Sequence, residues 1–403
     1  MRKNLLPVLF ATLLIDMIGT GMVFPIIPII FTDPASPHFL LSGYSTGMQF
    51  LLAGLVTSLF GLMQFIAAPI LGELSDVYGR KRLLTLGVGV LAVSQLLFGF
   101  GIAAKLVWLL IVARAIAGLA AANFSIAQAA IADVSKPEER AKNFGLIGAA
   151  FGIGFILGPL LSGWIAGATG NAAAPFWVAG ALGVLNLISL SLFFPETHKN
   201  TSAERNFHLL KGIHNIRDAF KDKDARTMYL SNFLYIAGFA FFTSFVGILL
   251  VNRFGQDESG VGTYFAIVGA CIVVTQIFIL RFITKHYRER QIIRFTIPLA
   301  ALVLFLQPFM PNALWLFALI PFFAVAQGLT MANVTSLVSR SVSAERQGAA
   351  LGINSSLVAL AQGAVPLLAG VGAGVVGVHA PFIAGSLLMV AAWCTLFVFS
   401  KPR

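Results

Sequence analysis

Charge is scarce in this chain of 403 residues: Asp, Glu, Lys and Arg make up 11% of it, against 58% hydrophobic residues. Soluble domains carry about 25% charged residues, and so few charges cannot cover a water-facing surface of this size. The mean hydropathy of +0.88 points the same way. Cysteine is scarcer still. Cys271 and Cys394 both sit inside apolar runs, which excludes a disulfide framework and a clustered zinc site and leaves them as small core residues. The six histidines (38, 198, 208, 214, 286 and 379) are scattered through loops and span ends, so nothing here assembles the clustered reactive groups of an enzyme. No phosphate-binding loop of the Walker type is present, which argues against ATP as a driving force. No sizeable polar segment offers the output domain of a receptor. No metal or other cofactor is expected.

Long apolar runs are what the chain does have. A membrane-spanning helix needs about 20 mostly apolar residues, and twelve stretches meet or approach that: 5–31, 47–71, 83–103, 107–131, 144–167, 174–194, 228–251, 261–283, 292–310, 314–338, 348–371 and 381–399. Gly and Pro inside them are tolerated where neighbouring helices satisfy the backbone. The first run follows Arg2 and Lys3, contains Asp16, and continues through Pro25 and Pro28. At about 40 Å of helical rise it is long enough to span, so it is read as a retained first span and not a cleaved leader. The longest polar stretch, Glu196 to Arg226, separates six spans from six. The expected class is therefore an all-α membrane protein. It would have an N-terminal six-helix bundle (1–195), a cytoplasmic connector (196–226) with a short amphipathic helix around Leu209 to Phe220, and a C-terminal six-helix bundle (227–403).

Lys and Arg test this topology. With the N-terminus inside and the spans alternating, 24 of the 27 basic residues fall on the inner side. Lys105 and Arg253 fall outside, and Arg114 lies within a span. That asymmetry supports twelve spans with both termini cytoplasmic, in the inner or plasma membrane of a cell. It also turns the net charge of +11 into a topology signal and argues against nucleic acid as a partner. The two halves resemble each other. Ile70-Leu71 with Tyr78 matches Ile279-Leu280 with Tyr287, and Trp108-Leu109 matches Trp315-Leu316. Gly145, Pro159 and Gly163 match Gly352, Pro366 and Gly370, and Pro175-Phe176 matches Pro381-Phe382. Internal repeats are a recurrent way to build secondary transporters, with substrate held near the midplane.

Three segments carry more specific signals. After span 2 the chain reads GELSDVYGRKRLL, Gly72 to Leu84, an acid and a basic cluster around glycines that fit a tight cytoplasmic turn held by charge pairs. It resembles the signature loop of the major facilitator superfamily, on Gly72, Asp76, Gly79, Arg80 and Lys81. The resemblance implies a conformational latch in which Asp76 faces Arg80, Asp133 at the inner end of span 4, and the start of span 11 near 348–352, whose partial positive charge attracts an acid. The second half has Arg281 for Gly72 and Lys285 for Asp76, so a symmetric latch there is degenerate. In span 5, GIGFILGPLLSG places Gly154 and Gly158 one turn apart, then Pro159 and Gly163. Small residues at this spacing let helices approach closely, and the proline favours a kink. The segment resembles the antiporter motif of the superfamily's drug:proton antiporters, with Ser162 where many members have glycine.

Asp16 and Arg114 are the charges deep inside spans. Each is costly there and needs a partner or a watery cavity. At helical rise Asp16 lies about 16 Å and Arg114 about 26 Å from the inner ends of their spans. A direct pair, a water bridge, or backbone carbonyls around Arg114 all remain open. An apolar medium disfavours the charged form of a carboxylate, which makes Asp16 the candidate for proton coupling, with Arg114 tuning it. DMIGTGMVFPIIPIIF, Asp16 to Phe31, resembles span 1 of tetracycline-efflux antiporters. The segment from Arg114 through Asp133, Glu139-Arg140 and Gly145 to Gly158-Pro159 resembles the same group. Spans 3 and 9 lack an acid, so coupling would rest on Asp16, or on Asp133 near the cytoplasmic end. The resemblance implies proton-coupled efflux of small amphipathic molecules, driven by the proton gradient, by a monomer in a lipid bilayer. An uptake symporter or facilitator for a metabolite is the alternative. Gln64, Asn123, Gln128, Tyr235, Gln276, Gln327, Asn333 and Asn354 are candidate cavity-lining residues, and Gln362 is a further amide inside a span. Span 7 adds Phe233, Phe239, Phe241, Phe242 and Phe245; these aromatics either line a cavity suited to a hydrophobic or cationic drug or pack against lipid and core, and both readings stay open.

Overall fold

The computed structural model describes residues 5–121, 123–135, 140–197, 226–340 and 347–398. Within them lie twelve helical segments long and apolar enough to cross a membrane. They are α1 (Leu5–Thr32), α2 (Thr46–Tyr78), α3 (Arg80–Ala103), α4 (Val107–Val134), α5 (Leu146–Thr169), α6 (Ala174–Phe193), α7 (Arg226–Phe254), α8 (Glu258–Ile283), α9 (Glu289–Phe309), α10 (Ala313–Val338), α11 (Ile353–Val376) and α12 (Ala380–Phe397). These are the twelve runs read from the sequence, and no strand occurs among the described residues. The expected connector helix at 209–220 lies outside them.

Local chemistry shapes several helices. α1 is two helical stretches, Leu5–Gly21 and Val23–Thr32, that meet at Met22. Pro25 and Pro28 lack the N–H groups that would bond the carbonyls one turn back. The Ser162 hydroxyl of α5 donates to the Met22 carbonyl at 2.6 Å. α2 runs beyond its apolar stretch to Tyr78. It ends where Gly79 takes φ +93°, a conformation open to glycine at no steric cost, and α3 begins at the next residue. α8 contains a π-helical turn at Thr275–Ile279.

The chain forms two compact units. Among described residues, the first holds α1, α2 from Leu59, α3 to α6, and the start of α8 (Asp257–Ala266). The second holds the start of α2 (Gly43–Ser58), α7, α8 from Ile267, and α9 to α12. In the first unit, Leu9 and Leu13 of α1 pack with Leu84 and Val88 of α3, Ile126 and Ala130 of α4, and Leu190 of α6. Lipid tails are as apolar as these side chains, so close packing and interhelical hydrogen bonds stabilise the contacts more than burial does.

Each unit contains a glycine–proline seam at the start of one helix. In the first, α5 meets the start of α8: a β-carbon added at Gly262 would lie 2.5 Å from the Pro159 carbonyl oxygen and 3.1 Å from Gly163 Cα. In the second, α2 meets α11: a β-carbon at Gly370 would lie 2.5 Å from the Phe50 carbonyl oxygen, and one at Gly54 would run into the Pro366 carbonyl. The positions correspond through the sequence repeat. In the second unit α7 also packs tightly on α12, where Ser231 donates to the Ala392 carbonyl at 2.9 Å.

Candidate functional site

Asp16 sits half-buried on α1. Its Oδ2 accepts a hydrogen bond from Asn123 Nδ2 of α4 at 3.1 Å. Asn123 is 1% exposed and its amide presses against Gly87 of α3, where any side chain would collide with it. The candidate cavity residue Asn123 is therefore a direct partner of the candidate coupling acid. Gln95 of α3 is a second amide in this neighbourhood that the sequence did not single out. A β-carbon on Gly19, one turn beyond Asp16, would lie 2.8 Å from Gln95 Nε2.

Arg114 is also buried, and its guanidinium carbon lies 4.6 Å from the ring centre of Phe60 on α2. Such a stack stabilises a desolvated cation by about 2 kcal/mol. The ring of Phe60 is a partner beyond those the sequence left open. One turn on, Gly118 packs against the Phe60 backbone, and Gln64 Nε2 donates to the Ala121 carbonyl at 3.5 Å. Two of the expected site residues, Arg114 and Gln64, thus lie along one α2–α4 contact.

The span 5 motif packs on the turns of α1 that follow Asp16. Gly154 meets Met17, and a β-carbon on Gly158 would lie 2.6 Å from the Ile18 carbonyl oxygen and 2.9 Å from Gly21 Cα. Pro159 and Gly163 face the start of α8, where Ser259 donates to the Gly163 carbonyl at 3.2 Å. Ser162, the departure from glycine, supplies a donor to the carbonyl at the break in α1.

The signature segment differs from a loop. Gly72, Asp76 and Tyr78 are the last turns of α2, and the turn itself is Gly79 alone. Gly72 has nothing among the described residues within 4 Å of where a side chain would begin. Its carbonyl accepts from Ser75 Oγ at 2.6 Å and from Arg80 Nη1 at 3.5 Å. Arg80 is buried, forms an ion pair with Asp76, and places Nε 3.2 Å from Asp133 Oδ2 of α4. Glu196, just past α6, completes the arrangement: it accepts from the backbone N–H of Arg80 at 2.8 Å and of Lys81 at 3.1 Å. An acid at these otherwise unpaired donors caps α3 and complements its dipole. Lys81 Nζ donates to the Ser191 carbonyl at 2.8 Å, so the turn is tied to α6 twice. The other expected partners of Asp76, at 348–352, have side chains outside the described residues, as do Glu139, Arg140 and Gly145.

The remaining polar candidates divide. Tyr235, Gln327, Asn333 and Asn354 are buried in the second unit. Tyr235 donates to Gln327, Asn232 to Asn354, and Asn333 to its own helix at the Leu329 carbonyl. Phe242 and Phe323 pack beside them with ring centres 4.5 Å apart. Gln128 is half-buried. Gln276 lies in the π-helical turn on an exposed face with Ile277 and Phe278. Among the described residues no group of His, Cys, Asp and Glu is arranged to hold a metal ion.

The family model of the Major Facilitator Superfamily matches residues 9–228 and 228–403. The chain is 28% identical over 374 residues to the class C tetracycline resistance protein of Escherichia coli, covering 91% of this chain and 89% of that protein. It is 30% identical over 369 residues to the quinolone resistance protein NorA of Staphylococcus aureus, covering 90% and 88%. Among solved structures, the human organic anion transporter MFSD10 (TETRAN) aligns with a TM-score of 0.72 at 22% identity, over 98% of this chain and 99% of that one.

Proposed function

The chain belongs to the Major Facilitator Superfamily, and from that premise we propose that it exports amphipathic, drug-like molecules in exchange for protons. It is a multi-pass membrane transporter of small molecules and not an enzyme. One observation carries the finer reading. The small-residue motif of α5 packs directly on Met17, Ile18 and Gly21 of α1, the turns that follow the intramembrane acid Asp16. A change in the charge of Asp16 therefore acts on the helix that α5 grips. The named resistance functions of the relatives support export over uptake.

The mechanism is alternating access. Substrate binds from the cytoplasm as Asp16 gives up its proton, and the Asn123 amide donates to the resulting carboxylate. Protons arriving from outside then return Asp16 to its neutral form and displace the substrate. Each inward proton supplies about 2.3 kcal/mol per 100 mV of membrane potential, and no cofactor is needed beyond the gradient. Arg80, Asp76, Asp133 and Glu196 hold the cytoplasmic turn between α2 and α3 as the latch. The protein works as a monomer in the lipid bilayer of the cell's inner or plasma membrane. Both termini are cytoplasmic, as the distribution of Lys and Arg supports.

The test uses purified protein in liposomes with an acidic interior, a panel of amphipathic drugs added outside, and internal pH as the readout. Drug-driven proton release that Asp16→Asn abolishes is the expected result. Release that survives in Asp16→Asn moves coupling elsewhere, first to Asp133. A metabolite that equilibrates without protons, with no drug coupled to them, makes the chain a facilitator.

A further inference from the structure

Beside Asp16 a partly open cavity of about 20 Å³ is lined by α1, α3 and α6. Asp16 and Gln95 are the side chains in its lining that can form hydrogen bonds, and Asp16 is its one charged member. Gln95 is 8% exposed and makes no hydrogen bond among the described residues. Asp16 Oδ2 is taken by Asn123, and Oδ1 has no protein donor among those residues. An amide that opens on a cavity beside a carboxyl offers a bridging water both a donor and an acceptor. Glycines create the space: Gly19 lies under the Gln95 amide, and Gly183 of α6 lies against Ala92, where a β-carbon would come within 2.8 Å of the alanine's own.

A water needs about 10–15 Å³ of such space and two to four polar partners. The cavity meets the first condition, and the Asp16 carboxyl with the Gln95 amide meets the second. We propose that this cavity holds a single ordered water that passes protons to and from Asp16, with Gln95 as its positioning residue. The inference rests on Asp16 as the coupling acid. When Asp16 releases its proton, the carboxyl O–H bond breaks, its electron pair stays on the carboxylate, and the water oxygen takes the proton to become hydronium. The Gln95 carbonyl oxygen accepts a hydrogen bond from that hydronium and fixes its place. Asn123 keeps the other carboxylate oxygen throughout, so the acid is held by α4 and exchanges protons through the cavity lined by α3 and α6.

Infrared spectroscopy of the full-length protein in lipid films at acid pH tests this without any substrate. The protonated Asp16 carboxyl is the C=O band that Asp16→Asn removes, and its downshift on exposure to D₂O reports water reaching that group. The expected result is that Gln95→Leu slows this downshift at least tenfold. Gly19→Ala does the same by displacing the far end of a flexible side chain, which leaves the fold intact. Gln95→Glu, isosteric and neutral at that pH, restores the parent rate. In liposomes Gln95→Leu lowers kcat at least tenfold while KM for a transported dye stays within twofold, a split that general damage to the fold does not produce. Exchange in Gln95→Leu as fast as in the parent overturns the proposal, and so does the lack of an Asp16-dependent band. Drug-driven proton release surviving in Asp16→Asn retires Asp16 as the coupling acid, a separate failure, because the exchange rates decide the water site without transport.

Discussion

Replacing Gly158 by Ala puts a β-carbon 2.6 Å from the Ile18 carbonyl oxygen and 2.9 Å from Gly21 Cα. Both are backbone atoms of α1, so no side chain can swing away and the two helices must move apart. Gly148, on the same helix, has nothing among the described residues within 4 Å of the corresponding position. Each Gly→Ala change gains about 0.5–1 kcal/mol of helix stability, and that gain cancels when the two variants are compared. What remains is the overpacking at Gly158, about 1–3 kcal/mol. For a body of roughly 200 residues each kcal/mol moves the midpoint by about 2–4 °C, so Gly158→Ala should melt about 2–12 °C below Gly148→Ala. Thermal unfolding of the purified variants in detergent, followed by circular dichroism, measures the difference. Equal midpoints would refute the close approach of α5 to α1, and with it the proposed route from Asp16 to the antiporter motif.

Three further outcomes follow from the contacts. Asp133→Asn should destabilise more than Asp76→Asn, by about 1–2 kcal/mol against less than about 1 kcal/mol, because the Asp133 side chain is 24% exposed and that of Asp76 is 44% exposed; denaturation midpoints of the two variants decide it. Glu196→Ala leaves the first N–H groups of α3 without their cap and should cost about 1–2 kcal/mol, read as a lowered midpoint and faster proteolysis at the turn around Gly79. Ser162→Ala removes the donor to the Met22 carbonyl and should cost about 0.5–1.5 kcal/mol, whereas Ser162→Thr, which keeps the hydroxyl, should recover part of it in the same melt.

The twelve helices were legible because a bilayer demands apolar runs of one length, a signal spread over hundreds of residues. The end of α2 was not, because the helix continues through the polar stretch Glu73 to Tyr78 and stops for a backbone reason, the positive φ of Gly79, instead of a change in hydropathy. Asp16 and Arg114 stood out as charges inside apolar runs, and the span 5 glycines through their spacing around Pro159. Glu196 did not, since it meets Arg80 across 116 residues of sequence and reads locally as the first polar residue of a connector. Gln95 looks like any amide in an apolar run, as Gln64 does; only the packing over Gly19 separates them. Ser162 read as a departure from a family pattern, and its use became visible with the break in α1 beside it.

Uphill transport is the most direct consequence of proton-coupled export through Asp16. Vesicles with the protein's cytoplasmic face outward and an acidic interior should accumulate an amphipathic dye inside, above its external concentration, and a protonophore should collapse that accumulation to equality. Asp16→Asn should reach equality at most, with or without the protonophore. Accumulation that persists when the proton gradient is abolished, or that Asp16→Asn leaves intact, would contradict proton-coupled export through Asp16.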